Sequence, residues 1–311
     1  MKIVFFGTPE FSAIILEKLI KNNLKPVLAV ASPDKPVGRD QVLTSPAAKI
    51  LAEKYDIPVL QPKDLEDPVF KQVLGNIQPD LVVVAAYGPP FLPNWLLAFP
   101  KYGCINLHPS LLPKYRGASP IPQAILDNEK ETGVTIIRMS EKIDGGDILA
   151  QEKLEIFPTD TTLTLTKKLA DLGASLLVKT ISALVGSGIS PCSQGEFPTV
   201  YCRQLKKEDG RINWQKPADY IERQTRASDP WPGTHTLFGK KILKILKTYV
   251  IKENTEPLKP GFIFLSRNKE LSVQTGKDSL AIEQLQLEGG KPMTTEEFVR
   301  GHREIIGIVL R

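Results

Sequence analysis

The stretch Leu81-Val-Val-Val-Ala-Ala86 is an uninterrupted run of six apolar residues. A run of this kind is typical of a strand that is buried on both faces of a parallel sheet. Similar short runs at residues 2–6, 27–31 and 103–107 alternate with helical patterns such as residues 9–21. This alternation predicts an α/β fold with a mainly parallel, Rossmann-like sheet and helices on both of its faces.

The second part of the chain has a different pattern. A long helical pattern covers residues 162–186, and short strand candidates separated by Gly- and Pro-containing turns follow later. These strands predict a smaller antiparallel β-barrel of OB-like type. A capping box, Thr294-x-x-Glu297, predicts a short helix near the end. We therefore expect a first domain over residues 1–188, a linker over 189–205 and a C-terminal β-barrel domain over 206–311.

The composition excludes several classes of protein. The chain has 311 residues, of which 41% are hydrophobic and 24% are charged, as expected for a globular protein of about two domains. No apolar run approaches the roughly 18–20 residues that a membrane-spanning helix needs, and residues 1–6 are too short for a signal peptide. Three cysteines without CxxC spacing and three histidines argue against a metal site. We expect a cytoplasmic protein that uses no metal.

The net charge of +5 is unevenly distributed along the chain. Residues 1–205 carry 21 Lys+Arg and 21 Asp+Glu, whereas residues 206–311 carry 19 and 14. The whole excess of positive charge therefore lies in the second part, which would attract a polyanion such as nucleic acid. The alternative is a set of solvated surface lysines.

The first candidate for catalysis is at the end of the strand predicted over residues 103–107. Alternate side chains of a strand share a face, so Asn106 and His108 are expected to point together at the carboxyl edge of the sheet. Asn can donate a hydrogen bond to a developing oxyanion, and His can move a proton near neutral pH. The alternative is a capping Asn and a structural His in a proline-rich turn.

The second candidate is the loop Ser140-Glu-Lys-Ile-Asp-Gly-Gly-Asp-Ile148, which follows another predicted strand. Its two glycines allow the backbone to approach a ligand closely. Asp144 could orient and charge-stabilise a nearby His, and Asp147 is the rival carboxylate. The alternative is a polar turn between strands.

The common motifs of nucleotide chemistry and of serine hydrolases are missing. Gly7-Thr-Pro-Glu-Phe-Ser12 follows the first predicted strand but lacks the second and third glycines of a dinucleotide fingerprint, and it is not a P-loop. The sequence contains no GxSxG, so Ser110 is a poor candidate for a nucleophile.

At these residues the chain resembles the folate-dependent formyltransferases. Their shared motif is matched by Gly103-Cys-Ile-Asn-Leu-His-Pro-Ser-Leu-Leu-Pro-Lys-Tyr-Arg-Gly117, and their acidic loop by Asp144-Gly-Gly-Asp147. Over essentially its full length, the chain is most similar to members whose acceptor is methionyl initiator tRNA. The segments that carry this similarity are Gly7–Phe11, Ser32–Arg39, Arg211–Trp214 and Pro230–Gly233.

The resemblance implies a mechanism without a metal. The α-amino group of methionine, esterified to initiator tRNA, would attack the formyl group of 10-formyltetrahydrofolate. Asn106 and protonated His108 would stabilise the oxyanion, and Asp144 would keep His108 charged and help to manage the proton of the amine. The family also implies a cis Leu112–Pro113 bond.

The resemblance further implies two sets of binding residues and, for a ligand as large as tRNA, a monomer. The folate contacts would come from Tyr87, Gly88, Phe91, Leu92, Ser110, Leu111, Leu112, Pro113, Ile143, Gly145 and Asp147. The tRNA contacts would come from Lys35 and Arg39 in an insertion over residues 34–46, and from Arg203, Lys206, Lys207 and Arg211 beside the barrel. Trp214 and Trp231 could line a pocket for methionine or pack the barrel.

Three other functions remain as alternatives. A glycinamide ribonucleotide formyltransferase shares the Asn-His-Asp set but usually lacks a second domain. A nucleotide-sugar N-formyltransferase, acting on a 4-amino sugar, can carry both domains but fits the insertion over residues 34–46 and the basic second part less well. A non-catalytic RNA-binding protein on the same scaffold would not need Asn106, His108 and Asp144.

Overall fold

The computed structural model describes residues 1–37, 41–186, 188–195, 201–252 and 258–310. The chain forms two compact units. The first unit comprises Met1–Pro120, Glu131–Glu155 and Thr166–Cys202, and the second comprises Ile121–Lys130, Ile156–Leu165 and Arg203–Arg311.

The first unit is built on a seven-stranded sheet in the order β5-β2-β1-β6-β7-β8-β9. The first five strands in that order, β5, β2, β1, β6 and β7, pair in parallel. Strand β8 pairs antiparallel with β7, and β9 pairs antiparallel with β8. The predicted mainly parallel sheet is therefore confirmed. The strands of this unit are β1 (Ile3–Gly7), β2 (Leu28–Val30), β3 (Lys35–Val37), β4 (Val42–Thr44), β5 (Val59–Leu60), β6 (Leu81–Ala85), β7 (Cys104–His108), β8 (Glu131–Arg138) and β9 (Ile148–Glu155).

Helices form where the sequence shows helical patterns, over residues 9–21, 47–55, 69–75, 121–128 and 162–186. Helix α1 buries Phe11, Ile15, Leu16 and Leu19, which recur at helical spacing. The α-helices of the described residues are α1 (Glu10–Lys21), α2 (Ala47–Lys54), α3 (Pro68–Ile77), α4 (Asn94–Ala98), α5 (Pro120–Leu126), α6 (Thr162–Val185), α7 (Ala218–Ala227) and α8 (Thr295–Gly301). No helix among the described residues is both long and apolar enough to span a membrane.

The centre of the first sheet is fully buried, as its composition requires. Every residue of β1 and β6 is buried, and the two strands pair in parallel with Val4 opposite Val82. Each fully buried aliphatic or aromatic side chain contributes roughly 1.5–3 kcal/mol relative to an exposed one. The apolar run at residues 81–86 thus forms a central strand, and the carboxyl ends of β6 and β7 lie at the same edge of the sheet.

Some elements differ from the sequence-based expectation. Strand β9 and helices α4 and α7 do not appear in the predicted pattern. Strands β3 and β4 pair as an antiparallel hairpin inside the insertion over residues 34–46. Both hairpin strands are short, and Val42 and Leu43 are exposed, so no apolar pattern reveals them.

The second unit contains an antiparallel sheet in the order β10-β11-β14-β13-β12, with β15 paired to β14. The predicted smaller β domain is therefore confirmed. Trp214 is 4% exposed and packs in the core of this unit, where its Nε1 donates to Thr236 Oγ1 at 3.2 Å. The strands are β10 (Thr234–Phe238), β11 (Lys241–Ile251), β12 (Ile263–Leu265), β13 (Leu271–Gln274), β14 (Ser279–Leu287) and β15 (Met293–Thr294).

The predicted capping box is present at the start of α8. Thr294 Oγ1 accepts a hydrogen bond from the Glu297 amide, and Glu297 Oε2 accepts one from the Thr294 amide at 2.8 Å. These two backbone donors would otherwise lack partners at a helix start. The hydrogen bond to the Thr294 amide also lowers the pKa of the Glu297 carboxyl.

Candidate active site

The strand β7 brings Asn106 and His108 to the carboxyl edge of the first sheet. His108 is buried, whereas Asn106 is partly accessible. The ring Nε2 of His108 lies 2.9 Å from the carbonyl oxygen of Tyr115. A carbonyl oxygen can only accept, so Nε2 carries a proton and donates in this pair.

Asp144 joins these two side chains. Its Oδ1 accepts a hydrogen bond from Asn106 Nδ2 at 3.3 Å and lies 3.6 Å from His108 Nδ1. Its Oδ2 accepts from the Gly117 amide at 2.8 Å. Asp144 has a φ of 48°, a left-handed conformation that is uncommon outside glycine. The structure thus brings together the three side chains that the sequence predicted as one site.

This arrangement has defined chemical capabilities. Nε2 of His108 donates to the Tyr115 carbonyl, whereas Nδ1 lies 3.6 Å from Asp144 Oδ1, beyond hydrogen-bond distance, so that a proton on Nδ1 could be donated to a ligand. The Asn106 amide has two N–H groups, and Asp144 takes only one of them. The site therefore offers hydrogen-bond donors beside a partly buried carboxylate, as the stabilisation of an oxyanion requires.

Two loops near these side chains carry exposed apolar residues. Phe91 is 66% exposed and Ile143 is 45% exposed. Asn94 Nδ2 donates to Glu141 Oε1 at 2.7 Å and so ties the segment after Phe91 to the loop that carries Ile143. Exposed apolar side chains at a sheet edge suit the flat ring of a ligand.

Other predicted folate residues near Phe91 are less accessible. Tyr87 and Leu92 are buried, and Gly88 has a positive φ of 86°. Among the described residues the Tyr87 hydroxyl has no hydrogen-bond partner, and burial raises its pKa to about 12. Tyr87 packs edge-on against Phe6, with ring centroids 5.1 Å apart.

The segment from Ser110 to Pro113 forms a braced turn. Ser110 Oγ donates to the Lys114 carbonyl at 2.8 Å, and the Leu112 amide donates to Thr135 Oγ1 at 3.1 Å. Ser110 and Leu112 are buried, whereas Leu111 and Pro113 are partly accessible. The Leu112–Pro113 bond is cis, as the resemblance implied.

The acidic loop is shaped by its glycines. A Cβ on Gly146 would lie 1.7 Å from the Arg138 carbonyl oxygen, so no other residue fits there without a shift. Gly145 is partly accessible, and its amide donates to the Lys142 carbonyl. Asp147 is exposed, and its carbonyl accepts from the Arg138 amide. Asp144, rather than Asp147, is therefore the carboxylate that faces His108.

The predicted tRNA-contact residues do not share one environment. Arg39 lies outside the described residues, and Lys35 is exposed on β3. In the second unit, Arg203 Nη1 donates to Asp209 Oδ2 at 2.7 Å, and its Nη2 donates to the other carboxylate oxygen. This pairing lowers the pKa of the Asp209 carboxyl to about 2. The three remaining predicted contacts, all exposed, are Lys206, Lys207 and Arg211.

Sequence reasoning missed two buried polar residues beside Asp144. Gln194 is 5% exposed and Arg116 is 9% exposed, and the two side chains are hydrogen-bonded to each other. Arg116 lies inside the quoted motif, but a lone glutamine in a predicted linker carries no recognisable signal. Within the described ranges, no group of three or more His, Cys, Asp or Glu side chains is placed to hold a metal ion.

Comparison with known proteins identifies the class. The N-terminal formyl transferase family model matches residues 1–181, and the formyl transferase C-terminal domain model matches residues 204–303. The chain belongs to the formyl transferase family.

Full-length relatives narrow this class. A methionyl-tRNA formyltransferase of Caldicellulosiruptor saccharolyticus is 42% identical over 100% of both chains. One from Halalkalibacterium halodurans is 43% identical, with coverage of 97% of this chain and 95% of that relative.

Solved structures share the fold at lower identity. The structure of HypX from Aquifex aeolicus in complex with tetrahydrofolic acid superposes with a TM-score of 0.65 at 16% identity, covering 98% of this chain and 47% of HypX. WlaRD, a sugar 3N-formyl transferase, gives 0.64 at 20% identity, covering 94% of this chain and 99% of WlaRD.

Proposed function

We propose that this protein transfers the formyl group of 10-formyltetrahydrofolate to the α-amino group of methionyl initiator tRNA. The observation that carries this proposal is the meeting of Asn106, His108 and Asp144 beside strand β7. Relatives that match the chain end to end at about 40% identity bear the corresponding name. The product would be formylmethionyl-tRNA for translation initiation.

The folate fits the edge of the first sheet on two grounds. Phe91 and Ile143 expose apolar surface on two loops that the Asn94–Glu141 hydrogen bond ties together. WlaRD was solved with 5-N-formyl-tetrahydrofolate and has the same fold. The bound folate supplies the activated formyl group. We assign its contacts to the loop over residues 87–92, to the accessible parts of residues 110–113, and to Ile143, Gly145 and Asp147.

Each of the three central side chains has a role in formyl transfer. The free N–H of Asn106 and a proton on Nδ1 of His108, which lies 3.6 Å from Asp144 and so makes no hydrogen bond to it, donate to the formyl oxygen as it gains negative charge. Asp144 stabilises the positive charge on His108 and helps to accept the proton that the attacking amine loses. Burial of His108 strengthens these electrostatic interactions because water screens them less.

Replacing Asn106 with alanine removes one oxyanion donor and one hydrogen bond to Asp144. We expect kcat to fall by about 10²- to 10³-fold, the usual cost of such a donor. KM for methionyl-tRNA should change little, since Asn106 acts on the formyl oxygen. Steady-state formylation of methionyl-tRNA at saturating folate measures both constants. A kcat within fivefold of the wild type would remove Asn106 from the mechanism.

The tRNA would be held mainly by phosphate contacts from exposed cations. We assign Lys206, Lys207 and Arg211 to this surface in the second unit, and Lys35 and Arg39 to a second contact in the first unit. Arg203 is already paired with Asp209, so its contribution requires exchange of that partner. Residues 206–311 carry the whole +5 excess, which supports this assignment.

Binding of tRNA should therefore depend on salt through these lysines. The variant Lys206→Ala/Lys207→Ala should weaken tRNA binding and make the negative slope of log K against log salt shallower by roughly 1.5, at 0.7–0.9 per lost phosphate contact. Filter binding from 50 to 200 mM salt measures the slope. The matched control is Lys18→Ala/Lys179→Ala, which removes two exposed lysines of the first unit. An unchanged slope would place the tRNA on another surface.

We further propose a domain organisation and a location. Residues 1–188 carry catalysis, residues 189–205 connect, and residues 206–311 bind tRNA. The protein acts as a cytoplasmic monomer and uses no metal.

The acceptor is tested by competition. Purified protein with 10-formyltetrahydrofolate is offered methionyl initiator tRNA and a nucleotide-linked 4-amino sugar, and both formylated products are quantified. We expect formylmethionyl-tRNA to dominate. Formylation of the sugar alone would overturn the proposal in favour of a nucleotide-sugar N-formyltransferase.

A further inference from the structure

The segment that follows α6 is joined to the candidate site by backbone pairing. The Cys192 amide donates to the Ile148 carbonyl at 2.9 Å, and the Ile148 amide donates back at 2.8 Å. Further on, the Cys202 amide donates to the Arg116 carbonyl at 2.7 Å, and the Ala118 amide donates to the Cys202 carbonyl at 2.8 Å. Cys192 thus pairs with the strand that begins after the Asp144 loop, and Cys202 pairs with the turn around Arg116. Gln194 lies between these two residues in the sequence.

The Gln194 side chain uses its whole amide in this position. Its Oε1 accepts from Arg116 Nε at 3.0 Å and from Arg116 Nη2 at 2.6 Å. Its Nε2 donates to the Asp144 carbonyl at 2.8 Å and to the Gly146 carbonyl at 2.7 Å. Arginine only donates and carbonyls only accept, so the partners themselves determine the orientation of the amide.

These four hydrogen bonds connect the two halves of the site. Arg116 lies between Tyr115, whose carbonyl accepts from His108, and Gly117, whose amide donates to the Asp144 carboxylate. Gln194 holds this turn and the main chain of the Asp144 loop at the same time. Gln194 is only 5% exposed, so water would not easily replace a lost hydrogen-bond partner here.

We propose that Gln194 is a positioning residue that fixes Asp144 relative to His108. Gln194 makes its contacts with main-chain oxygens of the acidic loop and with Arg116, and it acts on the reaction through the Asp144 carboxylate. The left-handed φ of Asp144 needs such support, because this conformation is unfavourable for a non-glycine residue. The kinetic part of this inference rests on the proposed function.

The variant Gln194→Glu tests the two donated hydrogen bonds. Glutamate keeps an acceptor for Arg116 but places an oxygen opposite the carbonyls of Asp144 and Gly146. We expect kcat to fall by roughly tenfold to a hundredfold, the range for small misplacements of catalytic groups, with KM for tRNA within about twofold. The control is Gln72→Glu, the same change at an exposed position of α3. Arg116→Lys, which keeps the charge but loses the two-pronged contact, should act in the same direction.

Two further readouts separate positioning from a general loss of structure. In an Asp144→Asn background, Gln194→Glu should lower kcat by less than threefold, because the group it positions is already impaired. Hydrogen exchange at the Gly117 amide, measured by NMR, should accelerate in Gln194→Glu and not in Gln72→Glu, since this amide donates to Asp144.

The outcomes distinguish this inference from the proposed function. An unchanged kcat in Gln194→Glu would overturn the positioning role. So would a fall in kcat that is as large in the Asp144→Asn background as in the wild type. If the wild type transfers no formyl group, the proposed function fails, and the exchange of the Gly117 amide decides the positioning role by itself. Unchanged exchange in both Gln194→Glu and Arg116→Lys would then overturn it.

Discussion

Replacing His108 with alanine is expected to lower kcat for formyl transfer by about 10²- to 10⁴-fold, the range for loss of a positioned acid–base group. The ring is buried between the Tyr115 carbonyl and the Asp144 carboxylate, so alanine removes the donor and leaves the carboxylate without its imidazole neighbour. KM should change much less than kcat, because the ring acts on the reacting atoms. Single-turnover formylation at saturating methionyl-tRNA measures this loss.

The matched control is His302→Ala. His302 lies in the second unit, where its ring stacks on Phe298 with centroids 4.5 Å apart. Its removal should leave kcat within about twofold of the wild type and lower the melting temperature slightly. A His108→Ala protein that folds and retains more than a tenth of wild-type kcat would contradict the assigned role of His108.

The second large effect is expected for Asp144→Asn, with a loss in kcat of roughly 10³-fold or more. The substitution removes the negative charge beside His108. It also places an N–H donor where the carboxylate now accepts from either Asn106 or the Gly117 amide. Two donors then face each other in a poorly hydrated position, so geometry and charge are both lost.

Asp171→Asn is the control for this change. Asp171 is exposed on α6, and the same substitution there should leave kcat unchanged. Formylation kinetics should be accompanied by a thermal unfolding curve, because the Asp144 loop is also held by the Gly117 hydrogen bond. A mild, purely stability-linked loss in Asp144→Asn would show that His108 needs no charged partner.

The central sheet was predictable because its signal is local. The run at residues 81–86 and the spacing of Phe11, Ile15 and Leu19 report burial directly in the sequence. Asn106 and His108 could be placed on one strand face, since alternation follows from strand geometry alone. Asp144 required the family resemblance, because nothing local connects it with a strand 36 residues earlier.

The remaining features depend on contacts that are distant in sequence. The antiparallel edge strand β9 reads Ile-Leu-Ala-Gln-Glu-Lys-Leu-Glu and lacks a long apolar run, since one side is largely exposed. The role of Gln194 depends on partners 78 and 50 residues away, Arg116 and Asp144. Likewise, composition counts Arg203 as a free positive charge, whereas the structure pairs it with Asp209.

The most direct test of the account is a single-turnover assay of formyl transfer from 10-formyltetrahydrofolate to methionyl initiator tRNA by the purified full-length protein. We expect rapid formation of formylmethionyl-tRNA by the wild type and by His302→Ala, and its near-complete loss in His108→Ala. A folded wild-type protein that binds folate but transfers no formyl group to methionyl-tRNA would contradict the central claim.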